Sequence, residues 1–291
     1  MEQLKGTGVA IVTPFTQKEA VDFNALGKLI DHIIKGGVNY VVALGTTGET
    51  PVLSKEEKKE IIEFTYQHVN NRVPIVIGMG GNDTRTLVKD LESYPLEGAV
   101  AVLSASPYYN KPSQQGIYEH YKLVAAASPK PVILYNVPGR TGRNMTAATT
   151  IMLAREVPNI IAIKEASGDL SQCMEILKDK PEGFMAMSGD DNLALSQMAC
   201  GMDGVISVAA NAFPAEFSQM IQYCIAQNFV AAKRVNDQLS EAYTLMFEEN
   251  NPAGIKAFLT EMGIMENVLR LPLVPLSHSL HEKVKKYLVH S

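Results

Sequence analysis

Cysteine is scarce: Cys173, Cys200 and Cys224 are the whole complement of this 291-residue chain, too few and too far apart for a disulfide framework. No CxxC pair is present, and the six histidines include no HExxH or other short-range ligand pair, so no metal is expected. Three scattered thiols fit a reducing cytosol. No apolar run approaches the ~20 residues that a membrane-spanning helix needs. The opening Met1-Glu-Gln-Leu-Lys-Gly6 lacks the charged-then-apolar pattern of a secretory signal, and a cytoplasmic location is expected. Lysine and arginine form no basic stripe, and the net charge is −5 with a pI near 5.7, which argues against nucleic acid as a partner. The short patches from Lys55 to Lys59 and from Lys283 to Lys286 read as solvated helix faces. Gly/Ser-rich linkers, low-complexity tracts and repeats beyond a βα period are all missing.

What is present is a sequence 46% hydrophobic and 20% charged, an ordinary globular balance with material for a sizeable core. Short β-rich runs recur at a spacing of ~25–35 residues, the length of one βα unit. They cover Gly8 to Thr13, Tyr40 to Leu44, Pro74 to Gly78, Ala99 to Leu103, Val132 to Tyr135, Ile160 to Lys164, Phe184 to Met187 and Gly204 to Val208. Helical patterns lie between them. Asp22 to Lys35 carries Leu26, Leu29, Ile30, Ile33 and Ile34 on one stripe. Ser54 to Val69 opens with the capping box Ser54-Lys-Glu-Glu57, and Ser113 to Ala127 is stopped by Pro129. Mostly apolar strands alternating with helices predict a parallel sheet covered on its outer face, and eight units close economically as a (β/α)8 TIM barrel. An open doubly wound sheet is the structural alternative, but the dinucleotide fingerprint fails, because Ile77-Gly-Met-Gly-Gly-Asn-Asp83 has Asp83 where its third glycine should stand. From Pro214 the pattern is helical to the end, through Pro214 to Ala226, Phe229 to Phe247 and Pro252 to Met262 with Gly263 as a cap. The barrel is therefore assigned to residues 1–225 and a small α-helical C-terminal extension of roughly two helices to 226–291.

Lys164 lies in Asn159-Ile-Ile-Ala-Ile-Lys-Glu-Ala-Ser-Gly168, a run that reads as a buried strand ending in an amine. A buried ammonium is costly, its pKa is usually depressed, and a neutral amine can attack a carbonyl. The plainer alternative is a lysine whose stem packs while its head reaches water. Alternation puts Ala162 and Lys164 on one face, a small residue leaving room for the stem. Sites in such barrels sit at the C-terminal strand ends. Those ends carry Thr13, Gly45-Thr-Thr-Gly-Glu49, Ser106-Pro-Tyr-Tyr-Asn110, Tyr135-Asn-Val-Pro-Gly-Arg140, Lys164, Ser188-Gly-Asp-Asp191, Ile206 and Asn211. Gly45-Thr-Thr-Gly48 is either a plain strand-to-helix turn or a carboxylate cradle of hydroxyls and free N–H groups. Tyr135 is either barrel packing or a proton donor and acceptor beside the amine. Arg140 is either a surface arginine or a fork for a substrate carboxylate. Asp190 and Asp191 lack a nearby third ligand, which counts against a metal.

Together these motifs resemble the dihydrodipicolinate synthase family, pyruvate-dependent class I aldolases of the N-acetylneuraminate lyase superfamily. The likeness spans Gly6 to Leu276. It rests on the order and spacing of Gly45-Thr-Thr-Gly-Glu49, Pro107-Tyr-Tyr-Asn110, Leu134-Tyr-Asn-Val-Pro-Gly-Arg-Thr-Gly142, Ile163-Lys-Glu-Ala166, Ser188-Gly-Asp-Asp191 and Gly204-Val-Ile-Ser-Val208. The resemblance implies a lyase-type enzyme that condenses pyruvate with L-aspartate-4-semialdehyde to 4-hydroxy-tetrahydrodipicolinate, the first committed step of the diaminopimelate and lysine route. By the same resemblance Lys164 forms the imine with pyruvate, Tyr135 shuttles protons, and Thr46 and Tyr109 complete a relay in which Tyr109 serves the neighbouring subunit. Thr47 holds the pyruvate carboxylate, Arg140 holds that of the semialdehyde, and Gly189 and Ile206 border the site through their carbonyls. It further implies no cofactor beyond the covalent imine, and a homotetramer built as a dimer of dimers. N-acetylneuraminate lyase and 2-keto-3-deoxy-sugar-acid aldolases use the same amine on other aldehydes, but typically lack the Arg140 turn and the paired tyrosines. A catalytically dead barrel acting as a scaffold is the reading from a different class.

Two stretches depart from the family pattern. The effector site that holds lysine in feedback-inhibited members uses histidines and a glutamate. The matching positions here are Thr50, Lys55, Lys58, Asn82, Thr86 and Tyr108, with Asn82 and Tyr108 retained. Two ammonium groups and a missing carboxylate disfavour a cationic effector, so weak or absent inhibition by lysine is expected. Leu103-Ser-Ala-Ser-Pro107 also differs from the commoner apolar-then-Thr-Pro pattern.

Overall fold

The computed structural model describes residues 2–290. Eight parallel strands pair in chain order and close on themselves. They are β1 (Gly6–Ala10), β2 (Tyr40–Ala43), β3 (Ile75–Gly78), β4 (Ala101–Ala105), β5 (Val132–Asn136), β6 (Ile160–Glu165), β7 (Met185–Ser188) and β8 (Gly204–Ser207). Pairing of Gly6 with Gly204 through Val9 with Ser207 seals the ring and excludes the open-sheet alternative. Closure removes both sheet edges, so almost every strand residue is buried on one face or the other.

Strand alternation sorts side chains into two cores. Tyr40, Val76, Leu103, Ile133, Ala162, Met187 and Ile206 fill the lumen. Their chain neighbours Val41, Ile77, Val102, Leu134 and Ile163 face outward and pack under the helices. Tyr40 plugs the lumen, and its hydroxyl donates to Met187 Sδ at 3.1 Å. Gly8, its register partner on β1, makes room for that ring, since a Cβ there would lie 2.2 Å from it.

The surrounding helices are α1 (Phe23–Lys35), α2 (Lys55–Val69), α3 (Thr84–Ser93), α4 (Gln114–Ala127), the single turn α5 (Pro138–Thr141), α6 (Ala147–Glu156), α7 (Leu170–Asp179), α8 (Ala194–Ala199) and α9 (Pro214–Ile225). α1 starts where the Asp22 carboxylate accepts from Ala25 N, and it buries Leu26, Leu29, Ile30 and Ile33. Each such side chain contributes roughly 2 kcal/mol of transfer free energy. The capping box at Ser54 and Glu57 is fully formed and starts α2. Among the described residues no helix is long and apolar enough to cross a membrane.

Three features differ from the sequence expectation. β1 ends at Ala10 rather than Thr13, because the Ile11 amide still reaches Val42 O but that of Val12 bonds the Asn211 side chain. The apolar run continues there although the ladder has stopped. β4 runs two residues later than expected, through Ser104 and Ala105. Ser104 looks like loop sequence, but its carbonyl accepts from the buried Tyr121 hydroxyl at 2.7 Å. Beyond α9 there are three helices rather than about two: α10 (Phe229–Phe247), α11 (Ala253–Glu261) and α12 (His278–His290). Pro272 and Pro275 interrupt the helical pattern ahead of α12 and hide it. α10 packs on α8 and α9, while α12 packs on α10 and α11.

Candidate active site

Parallel register sets the amine beside the phenol: Tyr135 on β5 pairs with Lys164 on β6. Both side chains point into the mouth of the lumen, 7% and 4% exposed. The Lys164 Nζ stands 4.5 Å from the centroid of the Tyr135 ring, within cation–π range. An amine this buried and this close to a phenol is not the water-reaching surface lysine that the sequence left open.

Space for the lysine stem comes from below and beside it. Ala162 lies in the lumen cluster one alternation earlier on β6. Gly189, just past β7, supplies the lateral room, since a Cβ there would come 2.9 Å from Lys164 Cε and 2.5 Å from Ala166 Cβ. Ile206 on β8 is fully buried in the lumen floor. The two adjoining carboxylates are held by different backbone amides. Asp191 accepts from the amides of Val208 and Ala209 at 3.0 and 2.7 Å, whereas Asp190 accepts from Gly168 N at 3.2 Å. Burial pushes the Asp191 carboxyl up to about 6, against the opposing pull of those amides and of the Lys164 charge. Asp190 is raised for the same reason, and the Lys164 charge again opposes the shift.

Thr46 and Thr47 occupy the 3₁₀ turn Thr46–Gly48 that follows β2, Thr46 half-buried and Thr47 buried. Thr13 Oγ1 donates to Gly48 O at 2.7 Å and fastens this turn to the end of β1. Glu49 ends the turn at φ 53°, an uncommon conformation for a side-chain-bearing residue. It is held there from the C-terminal extension: its carboxylate pairs with the fully buried Lys256 and accepts from Arg270 N. Burial draws Lys256 down to about 8 while Glu49 pulls it up. Asn251 joins Thr47 and Arg140, the two residues to which the resemblance assigns the substrate carboxylates. Its Nδ2 donates to Thr47 Oγ1 at 3.2 Å, and its carbonyl accepts from Arg140 Nη2 at 3.0 Å. Arg140 itself is exposed on α5.

Tyr109 is not delivered to this mouth. It is 88% exposed with φ 71°, next to Tyr108 at 42% exposure. Asn110 Nδ2 donates to Asn82 O at 2.9 Å and anchors that loop. The other effector-type positions are engaged locally. Thr50 Oγ1 donates to the carbonyls of Leu44 and Gly45, Thr86 Oγ1 to Asp83, and Lys55 pairs with Asp90 at 2.7 Å. Burial lowers the Lys58 ammonium, with Asp90 opposing and Lys55 reinforcing that shift.

A family model described as the dihydrodipicolinate synthetase family matches residues 3–291. The chain belongs to that family. The 4-hydroxy-tetrahydrodipicolinate synthase of Parabacteroides distasonis is 51% identical over 98% of this chain and 96% of its own length. That of Phocaeicola vulgatus is 49% identical with the same coverage, 98% and 96%. The solved dihydrodipicolinate synthase of Thermotoga maritima matches with a TM-score of 0.96 at 35% identity, over 99% of this chain and 98% of its own. The chloride-inhibited enzyme from Acinetobacter baumannii, solved with pyruvate, matches with a TM-score of 0.95 at 40% identity over 98% of both chains.

Within this family fold, the residues that sequence reading passed over are those acting through distant contacts. Asn251 is 204 positions from Thr47 and looks only like a residue before a helix-starting proline. Lys256 carries no local sign of being buried apart from the apolar Ile255, Ala257, Phe258 and Leu259 around it.

Proposed function

We infer that the chain is a 4-hydroxy-tetrahydrodipicolinate synthase that joins pyruvate and L-aspartate-4-semialdehyde through a lysine imine, opening the diaminopimelate and lysine route. The observation that carries this reading is the Lys164 amine, buried in the barrel mouth against the Tyr135 ring, in a chain of this family. The amine adds to the ketone carbon of pyruvate, water leaves, and an iminium forms. Its nitrogen draws electrons so that the methyl group loses a proton and becomes an enamine. The enamine carbon bonds to the aldehyde carbon of the second substrate. The amino group of that substrate then displaces Lys164 from the imine carbon, which closes the ring and frees the amine. Because the imine is itself the electron sink, no cofactor or metal is required.

In this reading Tyr135 shuttles protons to and from the adduct, in relay with Thr46 and with Tyr109 of a neighbouring copy. Thr47 holds the pyruvate carboxylate and Arg140 that of the semialdehyde, with Asn251 between them, while Gly189 and Ile206 border the adduct. Tyr109 is exposed in a strained backbone conformation, which suits a residue completed by a partner; the assembly is read as a homotetramer of two tight dimers. Three free cysteines and the biosynthetic role fit a cytoplasmic enzyme.

The test is a coupled assay with pyruvate and aspartate semialdehyde. Wild type turns over, and Lys164→Ala falls at least ~1,000-fold. Borohydride with pyruvate should add one pyruvate-derived mass at Lys164. Cleavage of N-acetylneuraminate without turnover of the semialdehyde would assign the amine to the sugar-acid lyases, and no trapped adduct would leave a scaffold. For regulation, Lys55 and Lys58 disfavour a cationic effector, so millimolar L-lysine should leave the rate nearly unchanged. Half-inhibition below a millimolar would reverse that statement.

A further inference from the structure

Behind Lys164, on the outer face of the sheet, lies a carboxylate that the chemistry above does not use. Glu165 is fully buried, and its carboxylate accepts hydrogen bonds from neutral groups, Asn136, Ser167 and Gln172. Asn136 Nδ2 lies 3.0 Å from each oxygen, Gln172 Nε2 donates to Oε2 at 3.0 Å, and Ser167 N donates to Oε1 at 2.8 Å. Asn144 cross-links the donors: its Oδ1 accepts from Asn136 Nδ2 at 2.7 Å and its Nδ2 donates to Gln172 Oε1 at 2.7 Å. Burying a carboxylate without a cation is expensive, and burial raises the Glu165 pKa despite these donors. A neutral or apolar outer face would serve stability better. Something other than stability calls for the charge.

Strand register shows what that is. β5 and β6 enter side by side with Val132 against Ile160, but the next pair is Ile133 with Ala162, so Ile161 is bulged out. Without the bulge Ile133 would face Ile161, and Tyr135 would face Ile163 instead of Lys164. A one-residue slip in a strand sends every side chain to the opposite face, so that register would turn the amine out of the lumen. After the bulge, the pairs Tyr135–Lys164 and Asn136–Glu165 are consecutive. The Glu165 carboxylate is satisfied only where Asn136, Gln172 and the Ser167 amide converge, and that place exists only in the bulged register.

We propose that Glu165 is a positioning residue, whose acceptor-only carboxylate, gripped by Asn136, Gln172 and Ser167, locks β6 in the bulged register and so keeps Lys164 beside Tyr135. The proposal rests on Lys164 being the amine that forms the imine. Glu165→Gln keeps the shape but turns one acceptor into a donor, and each oxygen it could replace already faces an N–H group. Glu165→Asp keeps the charge and both acceptors on a shorter stem.

The experiment measures the rate of borohydride-trapped pyruvate adduct at Lys164 in a single turnover, together with the two KM values and thermal melting. Glu165→Gln should slow trapping by ~10- to 100-fold, the scale of a misplaced reacting group, with the KM for semialdehyde unchanged. Glu165→Asp should recover most of the loss. Should Glu165→Gln not fold, Gln172→Leu decides, because it removes one donor and leaves the carboxylate; trapping should then slow ~3-fold or more. Wild-type trapping in a folded Glu165→Gln protein, or in Gln172→Leu, overturns the proposal. Lack of trapping in the wild type strikes at Lys164 as the imine former, a different failure.

Discussion

One methyl group decides whether the Lys164 stem fits its slot. A Cβ on Gly189 would press on Lys164 Cε and on Ala166, so Gly189→Ala should keep the fold while lowering kcat/KM for pyruvate ~10- to 100-fold, as steady-state kinetics beside circular dichroism can establish. Next to it, Asp191 adds a pH signature. Its carboxyl holds a proton up to about 6 in the fold, whereas an unfolded aspartate releases it near 4. Between those values the native state binds more protons, so this group's contribution to stability is present at the acid end and is lost as pH rises through 6. Urea unfolding of Asp191→Asn should show a flatter dependence on pH from 4 to 7 than wild type. Lys164 and Tyr135 were legible because strand alternation and a strand-end position are local signals. Asn251 was not, since its bonds to Thr47 and Arg140 join points far apart in the chain and leave no periodic trace.

Among the elements, the turn after β2 and the segment that follows α10 act as one unit. Phe15 is approached by two cations, the Lys256 ammonium 4.3 Å and the Arg270 guanidinium 4.4 Å from its ring centroid. Arg270 also grips Glu57, the capping-box residue of α2, and the carbonyl of Glu19. Removing one partner of a buried pair strands the other. Lys256→Met should therefore destabilise by about 3–5 kcal/mol, and adding Glu49→Gln should recover much of that in chemical denaturation; additive losses would contradict the pairing. The strands and most helix starts were readable from apolar runs and caps. The early end of β1 and the late end of β4 were not, because the first is set by the Val12 amide turning to the distant Asn211 side chain and the second by β4 keeping register with β5 as far as Ala105 opposite Tyr135.

For the whole molecule, the barrel was legible from the count and spacing of its strands, whereas the tie between its mouth and the C-terminal helices exists only in three dimensions. The exposed Tyr109 gives the test at this scale. If it serves a neighbouring site, Tyr109→Phe and Lys164→Ala are each nearly inactive alone, yet a refolded mixture regains activity, because a hybrid pair contains one complete site. Activity that stays at the sum of the two components would confine Tyr109 to its own subunit. The clamp formed by Asn251, Lys256 and Arg270 has a temporal consequence as well. A polypeptide emerging from the ribosome exposes its amine and phenol long before the residues that brace the Thr46–Gly48 turn. In the proposed reading, competence toward keto acids thus waits until residues 251–270 have emerged, and a product terminated before them would be a barrel whose mouth lacks this brace.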